Sequence, residues 1–485
     1  MLPATLRRDF AASLVVFLVA LPLCVGVAVA SGVPAELGLV TGIVGGLVVG
    51  LMPGSSLQVS GPAAGLTVLV FDAVQSHGLA ALGAIVLAAG LLQLLLGVLR
   101  MGRWFRAISI AVVEGMLAGI GLTIIAGQLY AMADEKAPGS GLDKLAGLPG
   151  MLADGVRSTE GLASLGVGVT TIAVLAGWRH LPERVRAVPA PLAAVALATV
   201  AVPAFDLPVA KLDVRGLLGS IQPPGTDQLA QLAEIGVLGT VVAFALISSA
   251  ESLFSAAAVD RMHDGPRTDY DKELVAQGVG NSVCGVLGAL PMTAVIVRSA
   301  ANVQAGARTK ASRVLHGIWL LLFAALFPAA LEMIPLAALA GVLVHAGWKL
   351  MPLSQLPPLW REHRGEALVL CVTAAAVVLL NLFEGVLLGL LLAVLKTAWE
   401  TSHIHVDVED SGSGPIRVAL SGNATFLRLP KMLDTLEALP KDRPIELNVA
   451  GLRHLDHACR TALTTWADDH NEAGPVPVPR IPASV

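Results

Sequence analysis

The chain has 485 residues, of which 55% are hydrophobic and only 14% are charged. Its mean hydropathy of +0.74 and its 50 glycines are typical of closely packed transmembrane helices and argue against a set of soluble domains. A formal net charge of −4 excludes a polycationic face for nucleic acid, and four scattered cysteines without a C-x-x-C pair indicate neither a disulfide framework nor a zinc site.

Fourteen apolar runs follow one another along the first four fifths of the chain, separated by turn or charge signals. They predict an all-α polytopic membrane protein with fourteen transmembrane segments, two of them half-helices. The runs cover residues 11–30, 36–52, 62–76, 79–99, 108–132, 162–178, 188–204, 235–257, 272–289, 293–303, 314–330, 335–348, 366–381 and 383–399.

The third and tenth runs are the two predicted half-helices. The third follows Gly61-Pro62 after an extended start, and we expect the tenth to begin at Thr293, just after Pro291. A helix from Thr293 to Asn302 is about 15 Å long, roughly half a hydrocarbon core. Two interrupted segments at corresponding places in two halves indicate a transporter's binding site, and their helix amino ends favour a small anion.

The substrate-binding residues predicted at this meeting point include Arg298, since an arginine inside the membrane is costly and indicates function. The alternative is an arginine that snorkels to the headgroups from an ordinary helix end. The predicted substrate-binding set is Pro62, Ala63, Ala64, Thr293, Ala294 and Arg298.

The eighth run carries Glu251 in its middle and Ser255 four residues later, so both side chains point to one helix face. A carboxylate and a hydroxyl there suit Na⁺ or a transported proton. The predicted coupling-ion set is Glu251, Ser255, Pro291 and Thr293, with Na⁺ at Glu251 and Ser255. The alternative is an ion pair between Glu251 and Arg298 that neutralises both charges.

Positive charges set the predicted orientation. If every run crosses, the arginine and lysine clusters fall on one side, which predicts cytoplasmic amino and carboxyl ends. The two halves divide near residues 204–234, and seven runs in each half require opposite orientations, which is an inverted repeat.

The character of the chain changes after the last run. We predict a transmembrane domain over residues 1–402 and a small cytoplasmic α/β domain over 403–485. Strands are expected at Ile416–Leu420 and Ile445–Val449, and helices at Leu429–Leu439 and His457–His470, in the order β-α-β-α. A Pro-rich tail, Gly474–Pro482, is predicted to be disordered.

Three stretches together resemble the SulP family of anion transporters, the sulfate-permease-like relatives of the solute carrier 26 proteins. They are SGPAAGLTV at 60–68, AESLFSAAAVD at 250–260 and ALPMTAVIVRSAAN at 289–302. The resemblance covers about residues 9–400. It implies a seven-plus-seven inverted repeat, a core domain that moves against a gate domain, homodimers, and a cytoplasmic domain of the STAS fold.

The stretches 20–32, 112–128 and 297–310 look most like a bacterial branch found fused to, or beside, carbonic anhydrase, which implies bicarbonate as cargo and carbonic anhydrase as a functional partner. Bicarbonate carriers of the family bind Na⁺ between helices eight and ten, where Glu251 and Ser255 match. Glu251 stands where a shorter Asp is usual, which leaves proton coupling open. His457 replaces the phosphorylated Ser or Thr of other members, so phospho-switching is not expected.

These observations predict a secondary active transporter of small inorganic anions in the bacterial inner membrane, most consistent with bicarbonate coupled to Na⁺ by an elevator-like mechanism. The alternatives are proton-coupled or exchange transport of sulfate or a dicarboxylate, and a passive anion channel. No cofactor other than Na⁺ is predicted. An intramembrane enzyme is not, because His316 and His345 are isolated and no catalytic constellation lies in the runs.

Overall fold

Helices dominate the structure. The computed structural model describes residues 4–103, 109–138, 140–186, 188–213, 216–412, 414–440 and 443–473. The chain divides into two compact units, Met1–Leu390 and Leu391–Val485. The helices up to the end of the last apolar run are α1 (Ala4–Ala30), α2 (Ala35–Val44), α3 (Thr67–His77), α4 (Leu79–Val98), α5 (Ile110–Met132), α6 (Gly141–Arg157), α7 (Thr159–Gly177), α8 (Glu183–Arg186), α9 (Ala190–Ala204), α10 (Leu217–Ser220), α11 (Thr226–Ala230), α12 (Ile235–Asp260), α13 (Tyr270–Val286), α14 (Ile296–Gln304), α15 (Ala311–Leu326), α16 (Pro328–Glu332), α17 (Leu336–Leu350), α18 (Leu356–Glu362), α19 (Arg364–Leu379) and α20 (Leu382–Thr401).

Each of the fourteen predicted apolar runs overlaps at least one of these helices. Among the described residues, six helices are long and apolar enough to cross a membrane, and four more apolar stretches have 10–17 residues. The eleventh run is broken, because Pro328 cannot continue α15 and instead opens the short α16. Residues 133–161, which separate the fifth and sixth apolar runs, contain a helix that was not predicted, α6, whose capping residue Ser140 accepts a hydrogen bond from the Asp143 N–H.

Two very short strands join the halves of the first unit. Strand β1 (Ser60–Gly61) pairs antiparallel with β2 (Thr293–Ala294). The predicted start of the second half-helix at Thr293 is therefore wrong, since that residue is extended and α14 begins at Ile296. The first half-helix begins as a 3₁₀ turn at Ala64–Leu66 and continues as α3.

Glycines let neighbouring helices of the first unit approach closely. A methyl group added to Gly46, in a π-helical turn that continues α2, would lie 2.5 Å from the Gly317 Cα of α15. A methyl on Gly278 of α13 would lie 2.5 Å from the Leu94 backbone nitrogen of α4. Side chains would separate these backbones, so the contacts depend on glycine, as in many membrane helix pairs.

The second unit is an α/β fold after the end of α20. Strand β3 (Ile404–Glu409) pairs antiparallel with β4 (Ile416–Ala424), which pairs in parallel with β5 (Ile445–Leu455). Helix α21 (Leu429–Glu437) makes the crossover between the parallel strands, and α22 (His457–Ala473) follows β5. The predicted order lacked β3, so the observed order is β-β-α-β-α. The predicted disordered tail lies outside the described residues.

Candidate functional site

The β1–β2 pair brings the starts of the two half-helices together. Next to it the Val295 N–H donates to the Val59 carbonyl at 2.9 Å, and Ser299 Oγ accepts from the Val59 N–H at 2.9 Å. One turn further along α14, Asn302 Nδ2 donates to the Leu57 carbonyl at 2.9 Å. Because these partners are more than 230 positions apart, residues of one half fix the position of the other half's helix.

Helix α13 supports this junction from behind. The Asn281 amide exchanges two hydrogen bonds with Met292, accepting from its N–H at 2.7 Å and donating to its carbonyl at 3.1 Å. Gln277 Nε2 donates to Ser60 Oγ at 2.7 Å. Both amide side chains are buried, so they satisfy polar groups of the irregular segments that water does not reach.

A cavity of about 290 Å³ lies where the half-helices start. Neither Ala63 nor Val295, the residues that precede the two helix starts, carries a capping side chain. The first N–H groups of both helices therefore remain for another acceptor, and the positive dipole ends lie at the cavity. Its wall is formed by Leu23, Val27, Pro62, Ala63, Ala64, Gly65, Val113, Met116, Leu117, Leu175, Pro191, Glu251, Phe254, Ser255, Val295, Ile296, Val297, Arg298, Val342, His345, Ala346, Lys349 and Leu350.

Arg298 forms part of this wall and is fully buried. Its Nη2 donates to the Pro62 carbonyl at 3.1 Å, whereas Nε and Nη1 have no nitrogen or oxygen acceptor in the described part of the chain, and the buried Cys24 thiol lies beside the guanidinium. Gly61 makes room for the guanidinium, since a methyl group there would collide with Nη1. An arginine with two unused donors beside two helix amino ends is well suited to bind an oxyanion.

The Glu251 carboxylate packs against the backbone of Gly65. A methyl group at Gly65 would lie 2.7 Å from the Glu251 Cδ, and the Thr293 side chain lies close to the same carboxylate. The buried Oε2 has no donor among the described residues, and no ion pair there joins Glu251 to Arg298. The structure therefore does not contain the alternative ion pair between Glu251 and Arg298. A buried carboxylate of this kind requires a proton or a cation.

The predicted site residues form two layers. Pro62, Ala63, Ala64, Arg298, Glu251 and Ser255 line the cavity. The others, Pro291, Thr293 and Ala294, are buried behind this lining, where Thr293 still reaches the carboxylate of Glu251. The spacing of Glu251 and Ser255 thus correctly predicted that they share one helix face. Thr293 and Ala294 are paired in β2 and do not line the cavity.

His345 and Lys349 line the cavity but were not predicted. Both lie on α17, four residues apart, so they share one face of that helix. This spacing was visible in the sequence. The sequence does not show that α17 packs across the cavity from the half-helices. It therefore gave no reason to assign this pair to the site.

The family profile described as the sulfate permease family matches residues 6–373. The chain belongs to this family. A Bacillus subtilis protein named as a candidate sulfate transporter, YvdB, is 29% identical over 411 residues, 82% of this chain and 75% of that protein. The bicarbonate transporter BicA of Picosynechococcus is 28% identical over 425 residues, 82% of this chain and 71% of that protein. The chain is accordingly a membrane transporter and not an enzyme.

Solved structures show the same fold. The transmembrane domain of a cyanobacterial bicarbonate transporter, BicA, superposes with a TM-score of 0.67 at 23% identity, over 81% of this chain and 98% of that chain. The murine anion transporter Slc26a9, in its inward-facing state, superposes with a TM-score of 0.81 at 15% identity, over 100% of this chain and 87% of that chain. The mostly helical transporter fold and the small sheet near the carboxyl end both agree with these likenesses.

Proposed function

We propose that the chain is a secondary active transporter that carries a small oxyanion through the cavity at the half-helix starts, with bicarbonate as cargo. The observation that carries the proposal is the fully buried Arg298, which keeps two donors unused beside two uncapped helix starts. The proposed anion contacts are Arg298 and the backbone at Pro62, Ala63 and Ala64, with Thr293 and Ala294 as supporting residues behind them.

Sulfate is the second candidate. Relatives named for sulfate and for bicarbonate match this chain at 29% and 28% identity, so the resemblance favours neither anion. Lys349 adds a second positive charge to the cavity wall, which suits a divalent anion when Glu251 is neutralised. The choice of bicarbonate as cargo rests on the stretches of the sequence that look like the carbonic-anhydrase-linked branch.

Uptake into proteoliposomes tests both candidates. Labelled bicarbonate, sulfate and fumarate are presented separately, each with an imposed Na⁺ gradient, a pH gradient or none. We expect saturable bicarbonate accumulation that needs an inward Na⁺ gradient. Saturable accumulation of sulfate alone would show that sulfate is the cargo and bicarbonate is not. Flux that neither saturates nor follows a cation gradient would show a channel.

We propose Na⁺ as the coupling ion, bound by oxygens of Glu251, Ser255 and Thr293 with carbonyls near Pro291. The support is the Glu251 Oε2 atom, which is buried without a donor among the described residues. Bound Na⁺ would neutralise this acid and add positive charge beside the anion, so each ion raises the affinity for the other by the same factor.

Replacing Glu251 by Gln separates Na⁺ from proton coupling. Under Na⁺ coupling, Glu251→Gln removes Na⁺-stimulated anion binding. Under proton coupling, the amide mimics the protonated acid, so anion binding persists while accumulation driven by a pH gradient is lost. Binding is measured calorimetrically with and without Na⁺, and Na⁺-stimulated binding that survives in Glu251→Gln contradicts the Na⁺ site.

The proposed architecture is fourteen crossings in two inverted sets of seven, with both ends in the cytoplasm of a bacterial cell. Helices α3 and α14 fall in the third and tenth apolar runs, and their antiparallel strands β1 and β2 are consistent with a two-fold relation. Transport then proceeds by alternating access, in which a core bearing the half-helices moves against a gate in a homodimer, with a functional link to carbonic anhydrase.

A further inference from the structure

A second cavity, of about 580 Å³, lies between the carboxyl-terminal ends of α7 and α17. Gly341 of α17 lies against Gly168 and Thr171 of α7. Further along, residues 172–179 and 344–349 line the groove together, so the two helices run parallel and the groove lies towards their carboxyl-terminal ends. The groove residues are Ile172, Leu175, Ala176, Arg179, Val344, His345, Trp348 and Lys349.

The groove is apolar along its length and basic at its mouth. Arg179 and Lys349 are exposed, and among the described residues neither has a carboxylate partner; Arg179 Nε donates only to His180 Nε2, at 3.1 Å. The groove lining contains no Asp or Glu. A cationic mouth without acidic residues attracts a fixed anion, since no protein carboxylate competes for the two side chains.

The groove also has residue types that are typical of a membrane surface. Arg179 follows directly after the last residues of the apolar helix α7, and Trp348 leaves 59% of its surface exposed. Exposed tryptophan and basic residues at helix ends are typical of the headgroup level. Positive charges place this end on the side predicted to be cytoplasmic, the leaflet side on which anionic lipids recruit basic residues.

We propose that this groove binds an anionic phospholipid, with its phosphate between Arg179 and Lys349 and an acyl chain along Ile172, Leu175 and Val344. The apolar floor distinguishes this occupant from a free anion, which would gain nothing from it. Leu175, His345 and Lys349 also line the half-helix cavity, so the lipid contacts side chains that face the transported anion from the other side.

Lipid retention by the full chain tests the proposal. The protein is purified in detergent, given phosphatidylglycerol or phosphatidylcholine with identical acyl chains, and examined by native mass spectrometry. We expect retention of phosphatidylglycerol over phosphatidylcholine, and about fivefold weaker retention in Arg179→Gln, which loses one basic contact near a lipid headgroup. The matched control is Arg261→Gln, at an exposed arginine that follows α12 away from the groove.

Four results would overturn the proposal. Equal retention of the two lipids would show that charge does not select the occupant. Unchanged phosphatidylglycerol retention in Arg179→Gln, or a loss as large in Arg261→Gln, would place the lipid elsewhere. Displacement of the lipid by inorganic phosphate at equal concentration would show a soluble-anion site. Arg179 does not line the half-helix cavity, so we expect calorimetric anion binding to Arg179→Gln to remain as in the wild type; anion binding lost in Arg298→Ala but not in Arg179→Gln keeps the proposed function separate from the lipid site.

Discussion

At the scale of single residues, the Arg298 guanidinium combines complete burial with unused hydrogen-bonding capacity. Only its Nη2 has a nitrogen or oxygen acceptor among the described residues, the Pro62 carbonyl. Hydrogen bonds to charged groups contribute about 1.5–3 kcal/mol each, so removal of the guanidinium should weaken anion binding by about tenfold or more. We therefore expect Arg298→Ala to insert and fold while its anion affinity, measured by calorimetry, falls by at least that factor.

Two further variants give this prediction its controls. Arg298→Lys should recover part of the affinity, because lysine retains the charge but not the planar, forked donors. Arg261→Ala, which removes an exposed arginine, should bind like the wild type. Unchanged affinity in Arg298→Ala, in protein with a normal melting profile, would contradict the site assignment.

Gly65 provides a second test, directed at coupling. Its missing side chain leaves room for the Glu251 carboxylate, and a methyl group there would lie 2.7 Å from Cδ, well inside contact distance. Gly65→Ala should displace the carboxylate and abolish cation-dependent accumulation, with a smaller effect on anion binding, since Arg298 is unaffected. Uptake with and without the cation gradient measures this effect.

The matched control for Gly65→Ala is Gly239→Ala. Gly239 is on α12, the helix that carries Glu251, and a methyl group there meets nothing within 4 Å. This variant should keep full coupling. Equal losses in the two variants would mean that any added methyl group harms the protein and that Gly65 has no particular relation to Glu251.

At the scale of elements, hydropathy predicts most of the helices because each has a long apolar stretch bounded by charge or turn residues. It fails at the half-helix starts. Strands β1 and β2 have two residues each, and they pair across 232 to 234 positions of sequence, Ser60 with Ala294 and Gly61 with Thr293, which no local pattern contains. The start of α14 therefore lies three residues beyond the expected Thr293.

The second unit shows the opposite case. Strand β3 carries Ile404, Val406 and Val408 in alternation with polar residues, so a period-two signal was present in the sequence. The segment directly follows the polar end of α20, which obscures this signal. The strands and helices that were predicted there begin at the expected residues, since their apolar positions form the core of that unit.

Asp456 caps α22 and allows a prediction about acid stability. It accepts from the Cys459 N–H at 2.8 Å and the Phe426 N–H at 2.6 Å. Burial acts to raise the pKa of Asp456, but these backbone donors outweigh it and hold the pKa below its usual value. A carboxyl group with a lowered pKa stabilises the folded state above its unfolded pKa of about 3.9, and this stabilisation is lost as the pH falls through the folded value.

Asp456→Ala should accordingly destabilise α22 by about 1 kcal/mol at neutral pH, the usual cost of a lost helix cap. The difference from the wild type should shrink below about pH 4, where the wild-type carboxyl group also becomes protonated. Hydrogen exchange of the α22 amides in the full chain, measured as a function of pH, provides the test. Asp468→Ala, at an exposed position of the same helix, is the control, and a pH-independent difference would refute the capping role.

At the scale of the whole molecule, the residues that line the half-helix cavity lie between Leu23 and Leu350. The proposed coupling residues fall within the same span, and the second compact unit begins only at Leu391. Sequence composition predicted a boundary at residues 402 and 403, because charged residues become frequent after the last apolar run, whereas the compact units divide at Leu391. The position of α17 could not be predicted in this way, because only the packing of the helix shows that His345 and Lys349 line the cavity.

Truncation after Ser402 follows from this division. The shortened chain keeps α1 to α20 and every residue of the half-helix cavity, so we expect wild-type anion affinity and an unchanged response to Na⁺, measured by calorimetry. Expression and dimer content are expected to fall, which size-exclusion chromatography with light scattering records separately. Arg298→Ala in the truncated background should lose affinity by the same factor as in the full chain. A folded truncation that no longer binds the anion would show that residues beyond Ser402 contribute to the site.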